Sequence, residues 1–293
     1  MSSSVQSLRI SDISAGEKPS AAGPGALARA VALHLAGKRE EALDQLQRAA
    51  SANQGSAEIF RAMGHIEFEL ERYDDAAKSY RALTRLKPQY AQGWFNLAVC
   101  LERSGGWDKA AEAFHNASTL DPANPDAHLG LAVCYMRLED PKSALRGFER
   151  CLELAPDHED AVFGKGTALQ ALGSMDEAGK IYAGLLERNP ESEEPLSNLI
   201  LIGMAKRDYD AVRQHSERLL DLHPDSTAAL EGLAAWACAA GDQALAAKFC
   251  TLLVSAAPAH FEGWFNLALA HQKASRWKQS AECYDEALKV RPQ

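Results

Sequence analysis

Apolar residues recur along this chain in short bursts at helical spacing. Trp94, Leu97, Ala98 and Leu101 fall at i, i+3, i+4 and i+7, and after Ser104-Gly105-Gly106 the same spacing resumes with Ala110, Ala113, Phe114 and Ala117. Such spacing gathers the apolar side chains of each segment on one helical face. The segment therefore reads as helix, short turn, helix. A proline closes it, as in Leu120-Asp121-Pro122 and Leu222-His223-Pro224; proline ends the second helix and holds the residue before it extended.

The pattern repeats. Pro88, Pro122, Pro156, Pro190, Pro224, Pro258 and Pro292 stand 34 residues apart without an insertion. In the same period Ala42, Ala76, Ala110, Ala144, Ala178, Val212, Ala246 and Ser280 form a column of narrow side chains. Another column, Leu46, Tyr80, Phe114, Phe148, Tyr182, Ser216, Cys250 and Tyr284, is mostly large rings. A third, Met63, Leu97, Leu131, Leu199, Leu233 and Leu267, is apolar and is interrupted by Arg29 and Lys165. Large against small is how packed helix pairs interdigitate, so the period predicts an all-α stack of paired helices.

Trp94-Phe95-Asn96-Leu97-Ala98, then Ala110, Phe114, Ala117 and Pro122, resemble the signature of the tetratricopeptide repeat (TPR) family. The resemblance covers eight units, 23–56, 57–90, 91–124, 125–158, 159–192, 193–226, 227–260 and 261–293, and leaves out only the leader. It implies a TPR superhelix, an α-solenoid whose first helices line a concave groove. Two units depart from the signature. The first has Gln54 where proline belongs, and the sixth carries Ile200, Gly203, Val212 and Ser216 at signature columns. Because a solenoid's stability is a sum over units and neighbour interfaces, the sixth unit is expected to be the softest joint and the first site of limited proteolysis.

Groove residues follow from phase. One lining column reads Leu27, Arg61, Phe95, Leu129, Phe163, Ser197, Glu231 and Phe265; the next reads Val31, His65, Val99, Val133, Thr167, Leu201, Ala235 and Leu269. A largely apolar open surface costs roughly 25 cal/mol per Å² left in water and marks a binding face. An amphipathic helix or apolar peptide of a partner protein is the expected ligand. Along the edge, Glu58, Gln92, Asp126, Asp160, Glu194, Ala228 and Glu262 are mostly acidic, which favours a basic or neutral peptide. Asn96, Asn198 and Asn266 share one further phase and, by family resemblance, are candidates to hydrogen-bond a peptide backbone, although Ala28, Ala62, Gly130, Gly164 and Gly232 break that ladder. The carboxylate clamp of chaperone-adaptor repeats is missing: Arg61, His65 and Asn96 approach it, but Asp126 and Gly130 replace its cations.

Composition narrows the classes. Lys and Arg number 31 against 40 Asp and Glu, a net charge of −9, which opposes nucleic acid as a partner. No run reaches the roughly 20 apolar residues of a membrane span, and the first 22 residues lack the apolar core of a secretory signal, so a cytoplasmic protein is expected. Six Cys occur without a C-x-x-C pair, which spells neither zinc site nor disulfide framework and reads as packed, reduced thiols. No nucleotide, hydrolase or metalloprotease motif is present, and neither catalysis nor a cofactor is expected. His residues are dispersed; Asp157-His158-Glu159-Asp160 is the nearest approach to a cluster and reads as solvated linker. Residues 1–22, rich in Ser, Ala, Gly and Pro, are expected to be disordered, with Val5, Leu8, Ile10 and Ile13 as an apolar island. Ala281, Tyr284 and Leu288 should face a further unit that the sequence does not contain, which suggests self-association or continuation. The main expectation is a protein-interaction scaffold; the alternatives are the substrate-selecting arm of a larger enzyme such as a glycosyltransferase, and a self-assembling array.

Overall fold

The computed structural model describes residues 24–52 and 56–292. The leader, Gln54 and the apolar island near the N-terminus lie outside the described residues. Among those described are sixteen helices and no strand: α1 (Pro24–Leu35), α2 (Arg39–Ala52), α3 (Ala57–Glu69), α4 (Tyr73–Leu86), α5 (Ala91–Arg103), α6 (Trp107–Leu120), α7 (Pro125–Arg137), α8 (Pro141–Leu154), α9 (Glu159–Ala171), α10 (Met175–Arg188), α11 (Glu193–Lys206), α12 (Tyr209–Leu222), α13 (Thr227–Ala239), α14 (Gln243–Ala256), α15 (Phe261–Lys273) and α16 (Trp277–Val290). Odd-numbered helices are the first of each pair and even-numbered the second.

Every pair turns in the same way. One residue per unit, Gly37, Glu71, Gly105, Glu139, Gly173, Arg207, Gly241 or Ser275, takes a left-handed φ between 57° and 82°. In the third unit Gly105 N–H donates to Glu102 O (2.9 Å) and Gly106 N–H to Leu101 O (2.8 Å), which is a Schellman closure that satisfies the last carbonyls of the first helix. Second helices then start on side-chain caps where the sequence supplies them: Asp140, Asp208 and Asp242 accept from the N–H three residues on. At the other end of the unit, Trp94 and Trp264 each donate Nε1–H to the proline carbonyl six residues back, Pro88 O at 2.8 Å and Pro258 O at 2.9 Å. These bonds fix the linker against the next first helix.

The chain forms two compact bodies, one reaching to Ala168 and one starting at Leu169. In the first, Ala76, Tyr80, Leu97, Ala98, Ala110 and Phe114 share a core, and Leu129, Ala132, Ala144, Phe148 and Cys151 share another. In the second, Ala246, Cys250, Val254, Leu267 and Ala268 pack together. The narrow column is buried along its length, from Ala42 to Ser280. The ring column packs onto the first helix of the next unit: a Cβ on Gly130 would stand 2.4 Å from the Phe114 ring, and one on Gly164 2.4 Å from the Phe148 ring. Glycine at those positions is what lets the rings close.

The division falls inside α9, in the fifth unit. The fifth unit has its own reasons. Lys165 interrupts the apolar column, and glycines stand at 164, 166, 173, 179 and 184; a Cβ at Gly184 would meet nothing within 4 Å, and one at Gly179 only Leu199 at 3.9 Å.

All six Cys are free, five of them buried. Burial pushes the thiols of Cys134 and Cys250 up to about 12, so they stay protonated and inert toward oxidation near neutral pH.

Candidate functional site

The first helices carry the residues singled out by phase, and the structure sorts them by exposure. In the body ending at Ala168, Arg61, Phe95, Val133, Phe163 and Thr167 are half-buried, while His65, Asn96, Val99 and Leu129 are buried. Val99 belongs to the core around Phe114, and Leu129 to that around Phe148. These two are packing residues and not open anchors: the side chains of adjoining helices close over them. Phe95 sits edge-on to Phe114, with ring centroids 5.7 Å apart, so it has one side in the core and one outside. The Thr167 hydroxyl donates back to Phe163 O at 3.1 Å.

In the body starting at Leu169 the face is more open. Leu201 is 50% exposed and Phe265 42%; Asn198, Asn266 and Leu269 are half-buried. Phe265 stacks on Phe261 one turn earlier (centroids 6.0 Å, 23°) and meets Tyr284 edge-on at 5.6 Å. The Arg291 guanidinium lies 4.3 Å from the Phe261 ring centre, and the Tyr284 hydroxyl donates to Gln272 Oε1 at 3.0 Å. The result is an aromatic cluster held from behind and open on one side.

The asparagine column has a physical logic. Sixteen residues separate each ring from the next unit's asparagine or glycine: Phe114 with Gly130 and Phe148 with Gly164, but Tyr80 with Asn96 and Tyr182 with Asn198. A phenyl ring fills the space of a side chain, whereas the buried Tyr80 phenol, pushed well above its ordinary pKa by burial, has the Asn96 amide beside it. Asn96 Oδ1 accepts from Gln92 Nε2 at 2.8 Å, and Asn198 Nδ2 donates to Glu194 O at 2.9 Å. Asn96 is thus a core partner, and only Asn198 and Asn266 keep exposed surface.

The edge is less acidic than a column of carboxylates suggests. Glu58 pairs with Lys87 (3.1 Å), Asp126 with His158 (3.5 Å) and Glu262 with Arg291 (3.2 Å). Burial works against ionisation of Glu58, but its own backbone N–H and Lys87 outweigh it and hold the carboxyl below its ordinary range. Glu262 is held low by its own backbone N–H and then by Arg291. Lys87 and Arg291 each come from 29 residues further on, close to one period, so neighbouring units neutralise the edge at Glu58 and Glu262.

One cluster escaped the sequence reading. His34, at the end of α1, meets His65 and Glu69 of α3: His34 Nδ1 stands 3.6 Å from Glu69 Oε2, and His65 Nε2 3.3 Å from Glu69 Oε1. The available signal was an offset of 31, one period less one helical turn, which makes His34 and His65 neighbours on adjacent first helices.

Models of the tetratricopeptide repeat match residues 61–106, 103–147, 138–200 and 261–293. The chain belongs to the tetratricopeptide repeat family. No curated protein sequence matches this TPR chain. Among solved structures, YrrB, described as a TPR protein with an unusual peptide-binding site, is 22% identical over 64% of this chain and 96% of its own, with a TM-score of 0.57. The C-terminal part of a TPR repeat-containing protein of Cytophaga hutchinsonii is 14% identical over 82% of this chain and 99% of its own, at 0.67. A chain of the APC/C hetero-tetramer Cut9–Hcn1 is 14% identical over 92% of this chain but 53% of its own, at 0.58. At these identities the likeness shows the TPR solenoid fold alone. Among the described residues no helix is long and apolar enough to cross a membrane.

Proposed function

We propose that this TPR protein binds an apolar or amphipathic peptide segment of a partner protein on its first helices. The observation that carries the reading is the open aromatic cluster on α15, where Phe265 remains 42% exposed while Phe261 and Tyr284 fix its orientation. A rigid aromatic anchor with apolar neighbours is the usual centre of a binding hot spot. Leu201, Leu269, Asn198 and Asn266 extend that face, and in the preceding body Arg61, Phe95, Val133, Phe163 and Thr167 form a second, shallower one. Mixed charge along the edge relaxes the demand for a basic ligand. YrrB shows that the same fold admits a peptide-binding site. The buried, reduced thiols suit a cytoplasmic setting.

The test uses peptides selected from a random library on the full chain. Phe265→Ala combined with Leu201→Ala is expected to weaken the best of them about 30-fold or more, the scale of a hot-spot pair, while Leu252→Ala on a second helix changes affinity less than twofold. Equal loss at both places, or none at Phe265, rejects this face. A second reading, self-association through α16, is favoured by the exposure of Trp277, Leu288 and Val290; concentration-dependent mass in light scattering that Trp277→Ala abolishes distinguishes it.

A further inference from the structure

We infer that His34, His65 and Glu69 form a binding site for a divalent transition-metal ion of the zinc class. The three ligand atoms lie within 4.8 Å of one another. They come from two adjacent first helices: His65 and Glu69 stand one turn apart on α3, and the last turn of α1 brings His34 to them. The imidazole rings meet edge-on with centroids 5.7 Å apart.

A second observation points to a ligand. The His34 side chain is only 9% exposed, and its Nδ1 is buried without a hydrogen-bond partner; Glu69 Oε2, at 3.6 Å, is too far to serve as one. A buried ring nitrogen with nothing to bond is costly, and a cation would satisfy it. The donor set of two imidazoles and one carboxylate is a borderline set that favours zinc over magnesium or calcium. Arg39 Nε donates to Glu69 Oε2 at 2.7 Å, the kind of outer contact that orients a ligating carboxylate; Glu69 Oε1, facing His65, is left for the metal. Glu69 is 25% exposed, which provides an entry path and an open fourth position for water. Binding requires the three ligand atoms to draw together so that each reaches about 2.0–2.2 Å from the ion.

The full chain, stripped with chelator and kept reduced, is titrated with zinc against a chromophoric competitor. One equivalent is expected to bind. His34→Ala and, separately, Glu69→Gln are expected to weaken it by at least about a hundredfold, beyond the tenfold to hundredfold typical of outer-contact losses. Cobalt in place of zinc should give visible d–d bands without a thiolate charge-transfer band, since the six cysteines are the competing donors. Helix content and metal-free melting temperature check that each variant folds, and zinc should raise the melting temperature of the parent but not of the variants. Absence of zinc uptake, uptake that both variants leave within twofold, or a cobalt–thiolate band overturns the assignment.

Discussion

The third and sixth units occupy the same 34-residue frame, yet they fill the space between their helices with different side chains. In the third, Phe114 of the second helix is fully buried and its ring occupies the place of a side chain at Gly130. In the sixth that ring is replaced by Ser216, and the volume is shared between both helices of the unit: a Cβ on Gly232 would meet Ser216 Oγ at 2.3 Å, Ile200 at 2.8 Å and Val212 at 3.3 Å. Ile200, Val212 and Leu219 are all buried. The departures at the sixth unit are therefore compensated in shape. What is not compensated is polarity, because Ser216 Oγ is buried with no hydrogen-bond partner.

The largest expected effect comes from removing the ring. Phe114→Ala should cost about 3–5 kcal/mol, the range for truncating a buried aromatic, because Gly130 has no side chain with which to refill the site. Repeat arrays lose two-state behaviour readily, so the loss is to be read locally, as hydrogen-exchange protection of α5, α6 and α7. A uniform loss over every described helix would contradict the view that each ring serves its own interface.

The second prediction has the opposite sign. Ser216→Ala removes an unsatisfied buried hydroxyl at the expense of the contact its oxygen makes toward Gly232, and because the unpaired hydroxyl costs about 1–3 kcal/mol the net effect should be a stabilisation of α12 and α13 of about 1 kcal/mol. Unchanged or reduced protection there would mean that the hydroxyl has a partner, and the sixth unit would then be as well satisfied as the third.

Much of this was legible in the chain. Prolines, the narrow column and the ring column together fixed the helix pairs and their packing direction, since each column is read by one kind of neighbour. The candidate face was read less well. Phase assigns a direction about one helix axis, so Phe95 and Phe265 share a column; their burial differs because Phe95 meets the fully buried Phe114 and Phe265 meets the half-buried Tyr284. Val99, Leu129 and Asn96 were placed on the face by the same logic and are covered by adjoining helices. Charges were visible while their pairing was not, because Glu58 and Lys87 meet only once two units are stacked. The pairing of Tyr80 with Asn96 and Tyr182 with Asn198, against Phe114 with Gly130 and Phe148 with Gly164, is present in the sequence at an offset of 16, and becomes meaningful once the ring is seen to reach the next first helix.

The smallest effect concerns the turns, where the comparison reverses again. Gly105 closes the third unit at φ 78°, and Arg207 closes the sixth at φ 59°, a left-handed conformation that costs a non-glycine residue roughly 1–2 kcal/mol. Arg207→Gly relieves that cost but loses about 0.5–1 kcal/mol to the freedom glycine has when unfolded, so a net gain of about 0.5 kcal/mol is expected. Gly105→Ala carries the same two effects with signs exchanged and should lose a similar amount. The Schellman bonds are the same in both turns, with Gly106 N–H on Leu101 O at 2.8 Å and Asp208 N–H on Gly203 O at 2.9 Å, so neither substitution breaks a hydrogen bond and the backbone conformation alone is being measured. Melting of the two single variants and the double variant provides the check: the sites share no partner and should be additive. Equal signs for the two changes would show that the turn residue acts through a side-chain contact and not through its φ.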